Sequence, residues 1–122
     1  MKFKVYQITL TREIVEAVNS GKTVPSYKAK MAMNMDFRGE KIGENASKAF
    51  DNGYYTHVCN IEAKDFNDVF HVGNVGPETS IERLNRMSSI SVGDVIVDET
   101  GSMVVVANFG FVAFGHKPAL AA

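Results

Sequence analysis

The spacing of hydrophobic residues near the C-terminus predicts a β-hairpin. Two apolar, β-branched runs, Val95–Val97 and Met103–Ala107, flank residues 98–102, which supply turn chemistry and a glycine. The second run is apolar at every position, so we expect it to be covered on both faces as a central strand. After a bend at residues 108–110, residues 111–114 are expected to form a further strand or to continue the hairpin past a bulge.

Two further strands are predicted earlier in the chain. Apolar positions make residues 3–9 a strand, and we expect its partner in the C-terminal hairpin because a terminal strand needs a sheet to hold it. Residues 54–61 alternate in character. Strict alternation would place four residues on one face of that strand: Tyr55, His57, Cys59 and Ile61.

Helical spacing and capping residues predict short helices between the strands. Thr11 is a suitable N-cap for a helix that ends at about Ser20. Pro25 can open a second helix, which we favour over a strand because residues 28–33 are rich in helix formers. Residues 44–52 are expected to form a third helix, and residues 78–87 one or two helical turns or an ordered loop.

The remaining segments complete the expected fold. Asp65 can cap a brief helix that runs through Val72. Residues 115–122 are expected to be a flexible tail. Together these elements predict a single α+β domain over residues 1–122, with a mainly antiparallel sheet and short helices packed around it.

Composition restricts the function more than it defines it. The chain has 122 residues, a hydrophobic content of 45%, a charged content of 22% and a formal net charge of −1. The hydrophobic and charged contents exclude a wholly disordered chain. The net charge excludes an overall positive electrostatic potential that would favour binding to nucleic acid or to an anionic membrane. The single cysteine, Cys59, suits a reducing compartment. Because no apolar run has membrane-spanning length and the N-terminus lacks a secretion signal, we expect a cytoplasmic protein.

Most templates for chemical sites fail on this sequence. The glycines near residue 75 lack the spacing and the lysine of a phosphate loop, and the scattered histidines offer no zinc-ligand pair. We therefore expect no metal, no cofactor and no catalytic residue. One enzymatic alternative stays open, a small hydrolase with Cys59 as nucleophile and His57 as base. Asp94, which follows Gly93, is interpreted as a carboxylate that stabilises a turn.

Closely spaced methionines suggest an adaptable protein-binding face. The helical stripe is expected to bury Met31 and Met35, which would leave Met33 and Phe37 exposed. The candidate partner-binding residues are Met31, Met33, Met35, Phe37 and Arg38.

A cluster of basic residues indicates an alternative function, a nucleic-acid-binding module. Asp36 and Glu40 interrupt the basic cluster, and a second basic spot, Arg83 and Arg86, stands beside acidic residues. The candidate residues of the cluster are Lys28, Lys30, Arg38 and Lys41.

Several segments resemble the YodL-like group, a family of small proteins of bacteriophages and mobile elements. The similar segments are residues 4–8, 54–58, 65–70, 87–96 and 108–111. Gly93 stands where members of the group commonly have a serine before the aspartate, so the resemblance is to a related phage branch and not to the group itself. The resemblance implies a phage origin and a life in the host cytoplasm, and it implies no activity.

The resemblance implies a phage protein, and the failure of the site templates together with the balanced charge favours binding over catalysis. We therefore expect a phage accessory protein that binds a host or phage protein and has no catalysis of its own. Homodimerisation also stays open, since a strand near residues 103–114 could pair with a second copy if it lies at a sheet edge.

Overall fold

A computed structural model describes residues 1–114, and the expected tail at residues 115–122 lies outside the described residues. In chain order the elements are β1 (Lys2–Gln7), α1 (Arg12–Asn19), α2 (Pro25–Asn34), α3 (Ile42–Asp51), β2 (Thr56–Glu62), α4 (Phe66–Val75), β3 (Ile81–Arg83), β4 (Val95–Val97), β5 (Met103–Ala107) and β6 (Gly110–Ala113). The strands form one antiparallel sheet in the order β3-β2-β1-β4-β5-β6. The predicted α+β class is confirmed.

The predicted hairpin and the N-terminal strand form the middle of the sheet. β4 and β5 pair with Val95 opposite Val105, and the Asp98 carboxylate accepts hydrogen bonds from two amides of the intervening turn. β1 pairs with β4 on one side and β2 on the other, so the expected partner in the hairpin is confirmed. β5 lies between β4 and β6, and all five of its residues are buried, as expected for a central strand.

The capping residues start the helices where the sequence predicts them. The Thr11 hydroxyl accepts a hydrogen bond from the Ile14 amide, and the Asp65 carboxylate accepts one from the Asp68 amide. Pro25 occupies the first turn of α2, which confirms the helix over the competing strand. α4 continues to Val75, beyond its expected end at Val72, and Gly73 lies within the helix where the Ile90 side chain packs too close for a Cβ.

Of the alternatives for residues 78–87, the single helical turn is found, and it is followed by a strand that the sequence did not predict. A single 3-10 turn, Glu78–Ser80, is followed at once by β3, in which Glu82 pairs with Asn60 of β2. The outer edge of β2 presents backbone donors and acceptors that need a partner, and three residues of extended chain supply it. A strand this short is too brief to show a hydrophobic period in the sequence.

The two faces of the sheet carry separate apolar clusters. On one face α4 packs Val69 and Val72 against Phe3 of the sheet. On the other face α2 and α3 pack Met33 and Ile42 against residues of the hairpin strands. Because each face is covered, β1, β4 and β5 are held from both sides and provide a fixed frame for the surrounding loops.

α1 differs from the other helices because none of its eight residues is buried. The remaining helices each have ten residues and contribute buried side chains to a cluster. Within residues 1–114, no helix has the length and apolar character that crossing a membrane requires.

Candidate functional site

The burial of the methionines in α2 and at its C-cap differs from what the sequence predicts. Met33 is fully buried, Met31 is half-buried and Met35 is 67% exposed. The expected burial of Met35 and the expected exposure of Met33 are therefore wrong. The inward face of α2 is set by Ala29 and Met33, one helical turn apart, which pack against α3 and the hairpin strands. The sequence offers two apolar stripes on this helix and does not show which of them meets the sheet.

The loop after α2 is fixed by one carboxylate. The Asp36 side chain accepts hydrogen bonds from the backbone amides of Gly39, Glu40 and Lys41, at donor–acceptor distances of 3.0, 3.3 and 2.8 Å. This arrangement holds Phe37 on the outside of the loop, where the side chain is 63% exposed. An aromatic side chain displayed on an ordered loop is available for contact with another molecule.

The same loop lies beside the turn between β5 and β6. The Asn108 side-chain amide donates to the Asp36 carbonyl oxygen at 3.4 Å, which brings the two segments together. Phe109, the next residue in that turn, is 87% exposed. We call the exposed side chains of Met35, Phe37 and Phe109 the apolar loop surface. Phe109 was not predicted as a contact residue, because no local pattern in the sequence shows that this turn meets the loop after α2.

The candidate basic residues do not form a continuous stripe. Lys28 and Lys30 are two positions apart on α2, so they point about 200° apart around the helix axis. Lys30 contributes to a cavity beside the end of β1, whereas Arg38 is exposed on the loop with Glu40 at 3.7 Å. Lys41 is exposed at the start of α3. The separation of Lys28 from Lys30 disfavours a nucleic-acid interface built from all four cations.

Cys59 and His57 lie on opposite faces of the sheet. β2 contains a bulge, so that Cys59 pairs with Val5 and His57 pairs with Tyr6. Val5 and Tyr6 are consecutive in β1 and therefore point to opposite faces. The Cys59 thiol is in the cluster under α4, whereas the His57 ring stacks on Tyr6. The expected shared face is wrong, and the nucleophile–base pair of the hydrolase alternative does not exist in this fold.

Cys59 is expected to resist alkylation in the folded chain. The thiol is fully buried, and burial raises its pKa to about 11. Because the thiolate is the reacting species, iodoacetamide at about pH 7.5 should modify folded protein at least about 100-fold more slowly than denatured protein. Mass spectrometry of the intact protein measures both rates. Equal rates in the two states would show that Cys59 is accessible and would contradict this burial.

A polar network is buried where β1 approaches the segment before β4. The Gln7 side-chain amide donates to the Asp94 carboxylate at 3.0 Å and to the Ser88 carbonyl oxygen at 2.9 Å. Asp94 also accepts a hydrogen bond from the Ser91 amide, which confirms its expected role in stabilising the turn. Burial raises the pKa of Asp94 to about 6, despite these bonds and the charge of Lys30. The Tyr55 hydroxyl donates to the carbonyl oxygen of Gly93 at 2.6 Å and closes the network on the α2 side.

Two of the cavities in this structure border β1 and have room for a small molecule. A groove of about 490 Å³ is lined by the two lysines of β1, Lys2 and Lys4, and by Asp98 and Glu99 of the hairpin turn, so its formal charges balance. A smaller cavity, of about 300 Å³, is lined by Lys30 and by the loop before β4. The second cavity has no acidic residue in its lining, which distinguishes it electrostatically from the first.

Comparison of the chain with models of protein families, with curated proteins and with solved structures found no match. Within residues 1–114, no three or more histidine, cysteine, aspartate or glutamate side chains are grouped so that they could hold a metal ion. The surface chemistry of the chain is therefore the basis on which a function can be proposed.

Proposed function

We propose that this protein binds another protein through the apolar loop surface. The observation that carries the proposal is the placement of Met35, Phe37 and Phe109, all more than 60% exposed, on two segments joined by the hydrogen bond from Asn108 to Asp36. Single exposed apolar side chains are normal in proteins. Three large ones on adjacent ordered segments are typical of an interaction site.

The chemistry of this surface suits a protein partner. Aromatic residues, methionine and arginine are enriched at the centres of protein interfaces, and this surface has Arg38 on the same loop as Phe37. The loop is already ordered by the Asp36 carboxylate, so binding loses less conformational entropy than the ordering of a free loop would. Met35 has a flexible side chain that can adjust to the shape of a partner.

The resemblance to the YodL-like group supports a more specific proposal. In this proposal the protein is a phage accessory factor that acts in the host cytoplasm on a host or phage protein, without catalysis. Self-association is a further possible outcome of protein binding, and within residues 1–114 the outermost strands of the sheet are β3 and β6. The phage origin, the compartment and the identity of the partner stay predictions.

A double substitution, Phe37→Ser with Phe109→Ser, is expected to abolish retention of the partner. Both side chains project from the surface, so their replacement should leave the fold intact and should change stability by less than about 0.5 kcal/mol each. Tagged wild-type and variant chains would be compared in pull-downs from bacterial lysate, with nuclease treatment and a salt series, and the retained proteins would be quantified by mass spectrometry.

Val75→Ser is the matched control, because Val75 is also an exposed apolar residue, 74% accessible, but lies at the end of α4. A stoichiometric partner that is retained by the wild type and by this control, and lost from the double variant, would support the proposal. A partner that all three chains retain equally would place binding elsewhere. Recovery of nuclease-sensitive material alone, with steep loss in salt, would favour the nucleic-acid module instead.

A further inference from the structure

The smaller cavity joins three segments that are distant in the chain. Residues 7–10 after β1, Lys30 of α2 and residues 86–88 before β4 line a space of about 300 Å³. Lys30 and Arg86 belong to two separate basic clusters in the sequence, and the fold brings one member of each cluster to the same cavity. Such a convergence of cations from separate elements is characteristic of an anion-binding site.

The cavity has an excess of positive charge. Within residues 1–114, neither Lys30 nor Arg86 has an ion-pair partner within 4.0 Å. The carboxylate of Asp94 attracts Lys30 but is bonded to Gln7 and Ser91 in the interior. A single buried carboxylate offsets only one of the two cations, so a bound anion would be attracted.

The wall of the cavity is held in place by the buried network. Gln7 donates to the Ser88 carbonyl oxygen and accepts a hydrogen bond from the Ser88 amide at 3.1 Å, which fixes the loop that carries Arg86. Thr9 and Ser88 also line the cavity, and their hydroxyl groups are uncharged donors that can reach a ligand there. The backbone of this loop is therefore ordered before any ligand binds, which limits the entropy cost of binding.

We propose that this cavity binds the phosphate group of a small molecule. A guanidinium can bond two oxygens of a phosphate through its paired N–H groups, and Lys30 can supply a point charge to the same anion. Hydroxyl donors can satisfy the remaining phosphate oxygens. The volume is at the lower end of the range for ligand sites and suits a phosphate with a small body, against which Ile8, Leu10 and Met87 can pack. This site includes no residue of the apolar loop surface.

The test is an NMR titration of the ¹⁵N-labelled full chain with inorganic phosphate, pyrophosphate and glycerol phosphate, each at constant ionic strength. Saturable shifts centred on the amides of residues 9, 30, 86 and 88 are expected with at least one probe. Saturation by inorganic phosphate would identify the anion alone as sufficient. Saturation only by glycerol phosphate or pyrophosphate would show that the larger body of the ligand contributes, which also supports the site.

Arg86→Gln should weaken that binding by at least about tenfold, because it removes a charge-assisted pair of hydrogen bonds. Arg83→Gln is the control, since Arg83 is exposed, bonded to Glu78 and outside the cavity lining. Its affinity should equal that of the wild type. Failure of all three probes to saturate would overturn the proposal. Equal binding by the Arg86→Gln variant and the wild type would also overturn it.

Discussion

Replacement of Gln7 by leucine is expected to lower the free energy of unfolding by about 3 kcal/mol. The side chain is 3% exposed and makes three hydrogen bonds, two with the backbone of Ser88 and one with the carboxylate of Asp94. Leucine fills similar space but leaves a buried carboxylate with one fewer donor and breaks the contact between β1 and the loop before β4. The loss therefore combines an electrostatic penalty with a loosened loop.

Chemical denaturation followed by circular dichroism measures this loss. Lys4→Leu is the control, because Lys4 lies on the same strand but is exposed, and its replacement should change the free energy of unfolding by less than about 0.5 kcal/mol. A Gln7→Leu chain as stable as that control would show that the network contributes nothing to folding.

Asp94→Asn is expected to change the pH dependence of stability. Burial raises the folded-state pKa of Asp94 to about 6 from an ordinary value of 3.8. Protonation therefore favours the folded chain: the contribution of Asp94 to stability is fully present below about pH 3.8 and is lost as the pH rises through about 6. From about pH 4 to about pH 7.5, the wild type should lose about 2 kcal/mol relative to the asparagine variant, which cannot ionise.

The measurement is the free energy of unfolding of both chains across that pH range, with the variant subtracted from the wild type at each pH. Subtraction removes the contribution of groups common to both chains, such as Asp98, whose pKa is lowered by its hydrogen bonds in the hairpin turn. A difference that stays constant with pH, or one that favours the wild type as the pH rises, would contradict the buried position of Asp94.

Local pattern was enough to predict most of the elements. Thr11, Pro25 and Asp65 mark helix starts through capping and through the fixed backbone of proline, effects that act within one turn. The hairpin of β4 and β5 follows from two apolar runs around a turn, which is also local. Features of this kind need no knowledge of the rest of the fold.

The errors arise where tertiary contacts decide between local alternatives. The bulge in β2 places His57 and Cys59 on opposite faces, although simple alternation predicts the same face. The packing of α2 against α3 selects the stripe with Met33 over the stripe with Met35. In both cases the sequence is compatible with two arrangements whose difference in energy comes from distant partners.

The candidate sites were even less accessible to sequence reasoning. Phe37 was predicted as an exposed contact residue, but its proximity to the turn that carries Phe109 depends on the Asn108–Asp36 hydrogen bond. The pairing of Lys30 with Arg86 in one cavity likewise requires the crossing of three segments. Surfaces assembled from separate segments leave no periodic signal in a single sequence.

Photo-crosslinking in bacterial cells tests the central claim most directly, that a protein partner docks on the apolar loop surface. A photoreactive phenylalanine analogue would replace Phe37 in one chain and Val75 in another, both exposed positions that should tolerate it. We expect a single crosslinked protein at position 37, absent at position 75 and lost when Phe109 is also replaced by serine. The same crosslinked protein at both positions, or none at position 37 while the pull-down retains a partner, would contradict the claim.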